Sequence, residues 1–178
     1  DEVWVAGVLA TSRFALVPGR MDAVAGVEAT QEAVDSSAQQ RTGAKPAWKS
    51  LARGNFSDGS RYAQTAAYAH IQATPWTGKR WRWLGTVGGR GGWVAASAPS
   101  VPGVGDVQFT LPVAAASIGT TLELDRRHAV FVHASNGLRA PNLQETTLLG
   151  STGDQFEVPN AGLKAESIQQ LEVGVRSQ

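Results

Sequence analysis

The sequence predicts an all-β fold of antiparallel up-and-down strands, about seven of them, forming part of a transmembrane β-barrel larger than themselves. Three observations predict it. Apolar and polar side chains alternate with a period of two almost wherever a period can be read, the connections are short and long in turn, and the ionised residues of each strand fall on one face.

The first strand, 3–15, places Trp4 and Phe14 on one face and Arg13 on the other. At roughly 3.3 Å per residue and a tilt near 45°, the two aromatics stand about 24 Å apart along a membrane normal, the height of an apolar band with an aromatic at each edge. "LVPGR" around Pro18 turns the chain into 21–34, where Asp22, Glu28, Thr30 and Glu32 oppose Met21, Ala23, Ala25, Val27 and Ala29. The long segment 35–60 follows, then a strand over 61–75 with Tyr68 and His70 on its polar face. "WTGK" around Gly78 leads into 80–92, where Arg80, Arg82, Thr86 and Arg90 oppose Trp81, Trp83, Gly85 and Val87, with Trp93 next on that side. A second long segment, 93–108, precedes the strand 109–124, which carries Glu123, and "DRR" at 125–127 turns it into 128–138. The third long segment, 139–166, ends at the strand 167–177, where Gln170, Glu172 and Arg176 oppose Leu171, Val173 and Val175. No amphipathic helix is predicted between these strands.

Alternating short and long connections suit a sheet whose two ends face different surroundings, as in outer-membrane barrels with short periplasmic turns and longer extracellular loops. The uncharged faces suit hydrocarbon, where a charge at mid-bilayer costs about 2–4 kcal/mol on a barrel strand. Trp76, Trp81 and Trp83 cluster beside one short turn, as an interfacial girdle would. The alternative reading of these tryptophans is the cap of a soluble core.

Composition narrows the function. Hydrophobic residues make up 42% of the 178-residue chain but aromatics only 7%, so the apolar share rests on alanine and valine, small side chains that fill a soluble core poorly. A formal charge of +1 gives no field that would select nucleic acid or an anionic surface. There is no cysteine, which excludes disulfides, thiolate metal sites and cysteine nucleophiles, and three histidines leave little for a metal. The first residues lack a secretory leader's pattern. The protein is therefore soluble, or enters a membrane as strands, or has its leader outside this chain. His133 and Ser135, two apart on one strand face, suggest a base and a nucleophile, but nothing in the sequence supplies an orienting carboxylate or oxyanion donors. The glycine-rich "GTVGGRGG" lacks the Gly-Lys-Ser/Thr ending of a phosphate loop and reads as a bending element of a barrel wall.

The stretch "SNGLRAPNLQE" (135–145) carries the most specific pattern. Pro141 cannot donate to a ladder, so pairing stops there. Gly137 lets a neighbour approach closely, and Arg139, on the face of Phe131, His133 and Ser135, arrives at the rim in water. Through Gly137, Arg139, Ala140, Pro141 and Asn142 this stretch resembles the Gly-Phe-Arg-Ala-Pro-Asn segment of TonB-dependent outer-membrane receptors, the siderophore and vitamin B12 receptor family. Downstream, "NAGLKAESIQQLEVGVR" (160–176) is similar to that family's Asn-x-x-Leu-Lys-Pro-Glu and Glu-x-Gly-x-Arg pattern at Asn160, Leu163, Lys164, Glu166, Glu172, Gly174 and Arg176. Leu138 replaces the usual phenylalanine and Ala165 the usual proline. Upstream, residues 62–90 are similar to the family's Tyr-Ala-Gln strand, Pro-containing turn and following Gly-x-Arg strand. The pieces cover about half of the chain in the family's order.

The resemblance implies that 1–178 is a partial barrel domain, with the N-terminal plug and the remaining strands of a twenty-two-stranded barrel absent. It implies active uptake of a ferric siderophore or a similar large, scarce solute, with outer-membrane lipid, that solute and, through the plug, the TonB complex as partners. No enzyme activity, cofactor, metal or nucleic acid is expected. The candidate ligand contacts are Arg139 and Asn142 at the rim and Tyr68, His70 and His133 on the inner face. Recognition is also expected from the loop 35–60, where Arg41, Lys45, Lys49 and Arg53 accompany Trp48 and Phe56. A passive outer-membrane barrel or adhesin and a soluble all-β binding module are the alternatives.

Overall fold

The computed structural model describes residues 2–42, 47–51, 56–125, 127–148, 150–152, 155–160 and 162–177. Seven long strands form one open antiparallel sheet: β1 (Glu2–Val17), β2 (Met21–Asp35), β5 (Ser60–Thr77), β6 (Trp81–Val101), β7 (Gly105–Leu124), β8 (His128–Arg139) and β11 (Glu166–Ser177), adjacent in that order. Two small hairpins lie in the long connections, β3 (Gln39–Thr42) with β4 (Ala47–Ser50) and β9 (Gly150–Thr152) with β10 (Gln155–Glu157). A five-residue helix, α1 (Leu143–Thr147), opens the last connection. None was expected there. Its Asn-Leu-Gln-Glu start is too short to show a helical period.

The register puts the chosen faces of neighbouring strands together. Glu28 lies opposite Ala66 and Leu9, Tyr68 opposite Gly26 and Arg90, Glu123 opposite Arg82 and Ala129, and Glu172 opposite His133. Every ionised strand residue on the other face, Glu2, Asp35, Arg61 and Asp106, stands within two residues of a strand end. Between them the second face carries the row Ala25, Ala69, Gly89, Ala116 and its neighbours Val8, Ile71, Val87, Ile118, Val132 and Leu171, most of them exposed. Among the described residues neither a helix nor a second sheet covers this face.

Short connections, from β1 to β2, from β5 to β6 and from β7 to β8, close one end of the sheet, as the sequence suggests. The turn at Gly19 needs a left-handed residue, and φ is 69° there. At the other end the expected loop 93–108 is corrected: β6 runs to Val101, β7 starts at Gly105, and only 102–104 connect them. Twenty-one residues in β6 reach about 50 Å along the normal at a 45° tilt, well beyond an apolar band of about 25 Å. Alanine, serine and proline in "VAASAPSVPGVG" read as a loop, yet Pro99 is accommodated in a register shift between Ala98 and Val101, where no ladder donor is needed. Pro75 sits in the corresponding shift between Ala73 and Trp76.

The small core lies on the charged face at the long-loop end. There Val34, Ala96 and Leu143 of α1 are buried together, with Phe56, Tyr62 and Phe109 packed against them, and Ala98, Val101 and Val107 continue the cluster.

Adjacent residues of β11 make the two faces testable. Leu171→Arg, on the uncharged face, should cost about 2–4 kcal/mol and reduce the folded fraction in urea titrations of the membrane-reconstituted receptor, whereas Gln170→Arg should leave the midpoint unchanged.

Candidate functional site

The two sequence motifs that bracket the last long connection meet in space. Arg139, the final residue of β8, pairs with Glu166, the first of β11. Its Nε donates to Glu166 Oε2 at 3.0 Å and its Nη1 to Glu145 Oε1 at 2.8 Å. Glu145 is the third residue of α1. Its backbone N–H donates to the Asn142 side chain at 2.9 Å, and its carboxylate accepts the Asn142 backbone N–H at 3.1 Å, a reciprocal cap on the helix start. Arg139 thus joins the end of one strand, the start of the next and the cap of α1. A cavity of about 370 Å³ lies under this junction, lined by Arg139, Pro141, Glu145, Val158, Asn160, Leu163, Lys164 and Glu166. Six of these eight were singled out as motif residues.

This junction stands three rungs beyond the Asn136–Gln169 pair, where the uncharged face first turns polar, and so lies in water. The Arg139 guanidinium holds the Glu166 carboxyl below its ordinary value, and the two carboxylates raise the guanidinium's own pKa, the hydrogen bond to Glu166 contributing most. Capping then aims α1 inward. Leu143 enters the cluster with Val34 and Ala96, and Thr146 and Thr147 are buried with hydroxyls donated to the Asn142 and Leu143 carbonyls at 2.8 and 2.6 Å. Ala140 and Pro141 carry the chain between strand and helix without ladder bonds, as Pro141 requires.

Lower on the charged face, ion pairs skip a strand. Arg90 of β6 reaches Glu28 of β2 across β5, with its Nε 3.0 Å from Glu28 Oε1 and a second, closer contact through Nη2, while the Gln64 amide reaches the same oxygen at 3.4 Å. Arg176 of β11 approaches Glu123 Oε1 at 3.9 Å across β8, the same carboxylate to which Arg82 of the adjoining β6 donates from Nε at 2.7 Å. In each case an alanine with almost no exposure, Ala66 or Ala129, stands opposite the carboxylate on the strand that is crossed. A larger side chain there would stand in the way.

The sequence-predicted inner contacts lie along this wall. Tyr68 covers Gly26, where an added Cβ would meet its ring at 2.6 Å, and His70 and His133 lean over Gly88 and Gly119, at 3.0 and 3.1 Å from such a Cβ. Phe131 covers Gly174 in the same way, and Ile168 lies against Gly137. Each ring fills the space its cross-strand glycine leaves empty, a known device for holding glycine in a sheet. His133 and Ser135 share a face, but His133 packs on Gly119 and Ser135 stands between Ser117 and Gln170, which assembles no catalytic dyad. Among the described residues no three His, Cys, Asp or Glu side chains gather as a metal site would require.

In the long connection 36–59, Arg41 pairs across the β3–β4 hairpin with Trp48, and Lys49 with Gln40. Phe56 packs into the core cluster instead. Lys45 and Arg53 lie outside the described residues. Asp58 Oδ1 accepts the Ser36 N–H at 2.9 Å and Gly59 N–H donates to the Val34 carbonyl at 3.0 Å, which ties the base of this loop.

Sequence reading missed Glu145, Leu143, Ala66 and Ala129. The Asn-x-x-Glu cap was present as "NLQE", whereas the alanines matter only once the register is known.

Asn142→Ala should cost about 1 kcal/mol locally and speed amide exchange through 143–148 without altering the strands. Glu166 titrates lower folded than unfolded, so its contribution is full above the unfolded value and is lost as pH falls through the folded one. Amide protection where β8 meets β11 should accordingly hold at neutral pH and fall only in acid below the ordinary carboxylate range, and Arg139→Gln should remove that dependence.

The family model described as TonB dependent receptor-like, beta-barrel matches residues 8–178. No curated protein and no solved structure matches the chain.

Proposed function

The chain belongs to the TonB dependent receptor-like β-barrel family, and from that premise we propose that it is wall and loop of an outer-membrane receptor that actively imports a ferric siderophore or a similar large, scarce solute. The observation that carries this reading is the segregation of charge through seven strands in register, with a bare uncharged face on one side and a polar, ion-paired face on the other. Such a sheet suits a bilayer on one side and a wet conduit on the other. The family is one of transport receptors, not of enzymes. The solute crosses unchanged, and the work comes through the TonB complex acting on a plug held by the rest of the barrel.

Within this segment we assign capture to the long connections, with Arg41, Trp48 and Lys49 on an exposed hairpin as the contacts. Arg139 and Asn142 act on the ligand indirectly, by fixing α1 against the inner face and so setting the path of the last loop. Tyr68, His70 and His133 serve the wall, since each is packed over a glycine. The asparagine, leucine, lysine and glutamate of the downstream motif, Asn160, Leu163, Lys164 and Glu166, complete the junction under that loop. The segregated sheet by itself would suit a passive barrel or adhesin equally, and it is the family match that favours the receptor; a soluble module would need a layer over the uncharged face.

Deleting the gene should abolish growth on one or more defined ferric chelates or on cobalamin, with restoration by the intact receptor. Unchanged growth on every one of them would count against active import. Arg41→Ala with Lys49→Ala should weaken uptake at limiting ligand by about tenfold, as loss of two charged contacts implies, while His70→Ala should change it by less than about twofold.

A further inference from the structure

We propose that a groove in the uncharged face seats one acyl chain of a phospholipid from the leaflet at the short-turn end. The inference goes beyond solute import and rests on the outer-membrane reading. The groove holds about 640 Å³ and lies between β2 and β8, so every strand that forms it has a hydrogen-bonded neighbour on both sides. Its floor is one rung of the sheet. Met21 pairs with Ala73, Ala73 with Gly85, Gly85 with Thr120 and Thr120 with Val132. Five strands spaced about 4.8 Å apart give this floor a length of about 19 Å, the reach of a long acyl chain. One bank is Trp83, opposite Trp76, and the other is the next rung inward, Ile71, Val87 and Ile118. The hollow between them exists because Gly85 has no side chain: a Cβ added there would meet nothing within 4 Å.

The lining identifies the occupant. No ionised residue lines the groove, so a charged partner finds nothing there to pair with. Trp83 and Thr120 spend their polar atoms within the wall: Trp83 Nε1–H donates to Thr120 Oγ1 at 2.7 Å, and that hydroxyl donates on to the Leu84 carbonyl at 3.3 Å. The first bond also pins the indole, which fixes the bank before any chain arrives. Direction follows from the strand ends. β2 begins at Met21, whereas β8 begins at His128, four residues before Val132, so the floor enters at the short-turn rim beside β2 and lies deeper in the hydrocarbon by β8. Thr74 N–H donates to the Arg20 carbonyl at 2.6 Å and ties the rim at that entry. Trp76, Trp81 and Trp83, exposed on the same face, mark the headgroup level from which a chain would hang. Within lipid nothing is gained by leaving water, and packing decides. Mobile tails passing over a rigid hollow forfeit contacts along its floor, whereas one chain laid in it makes them.

The test uses the full-length receptor, reconstituted in phosphatidylethanolamine, released in mild detergent and examined by native mass spectrometry for lipid that resists delipidation. Dipalmitoyl lipid should be retained at least about tenfold over its dioctanoyl counterpart, and changing the headgroup to phosphatidylglycerol should alter retention by less than about twofold. Gly85→Leu, which fills the groove, should reduce retention by about tenfold. Gly85→Ala, a single methyl in open space, should reduce it by about threefold in a variant that keeps the fold. Gly91→Leu is the control, because Gly91 lies on the same face outside the groove and an added Cβ there also meets nothing within 4 Å; it should have no effect. Unchanged retention in both Gly85 variants, an equal loss in Gly91→Leu, or retention set by the headgroup overturns the proposal. So does a receptor dimer that Gly85→Leu disperses, which would make a second copy the occupant, or retention of free palmitate with no phospholipid. Failure of the outer-membrane reading itself is distinguishable, because the receptor would then float with vesicles of neither lipid.

Discussion

Hydrocarbon tolerates neither a charge nor an unpaired backbone group, and that double constraint organises the chain. Strands crossing it must hydrogen-bond to strands on both sides, and each must keep its ionised residues on one face. A one-residue slip in any ladder would move every charge of that strand to the lipid side. The observed pairing avoids this through six consecutive interfaces, from β1 against β2 to β8 against β11. The apolar face can then consist of alanine, glycine and valine, because lipid does not need to be filled as a soluble core does.

The charged face is stabilised by different means. Its rings stand over glycines of the next strand, and Arg90 and Arg176 reach carboxylates two strands away over buried alanines. Large and small residues therefore alternate across the strands. Towards the long-loop end this face changes from ionic to apolar, and the capped helix α1 covers it. The Gly-Leu-Arg-Ala-Pro-Asn segment accomplishes the change: glycine makes room for Ile168, arginine clamps the neighbouring strand, proline ends pairing, and asparagine starts the helix.

The architecture was legible because period-two alternation and charge parity are local properties of a strand. All seven strands were placed within a few residues, except that β6 and β7 extend further. Their outer halves look like a loop because alanine, serine and proline carry no strand signal once lipid stops demanding hydrophobicity. That Arg139 and Asn142 stand where a strand ends was legible. Their partners were not, since a clasp across 27 residues of sequence to Glu166 depends on how the intervening loop folds. Tyr68, His70 and His133 were placed on the right face, yet the glycines beneath them could be identified only from register.

The central claim concerns which side chains meet lipid, and single-cysteine accessibility tests it most directly, because the chain contains no cysteine of its own. Cysteines introduced one at a time from Val130 to Ser135 in the membrane-embedded receptor would be challenged with a water-soluble thiol reagent and, carrying a fluorophore, with a lipid-phase quencher. The account predicts strict alternation: positions 130, 132 and 134 quenched from lipid and unreactive towards the aqueous reagent, positions 131, 133 and 135 the reverse. Protection of both sets from lipid, or reaction of both with water, would contradict it.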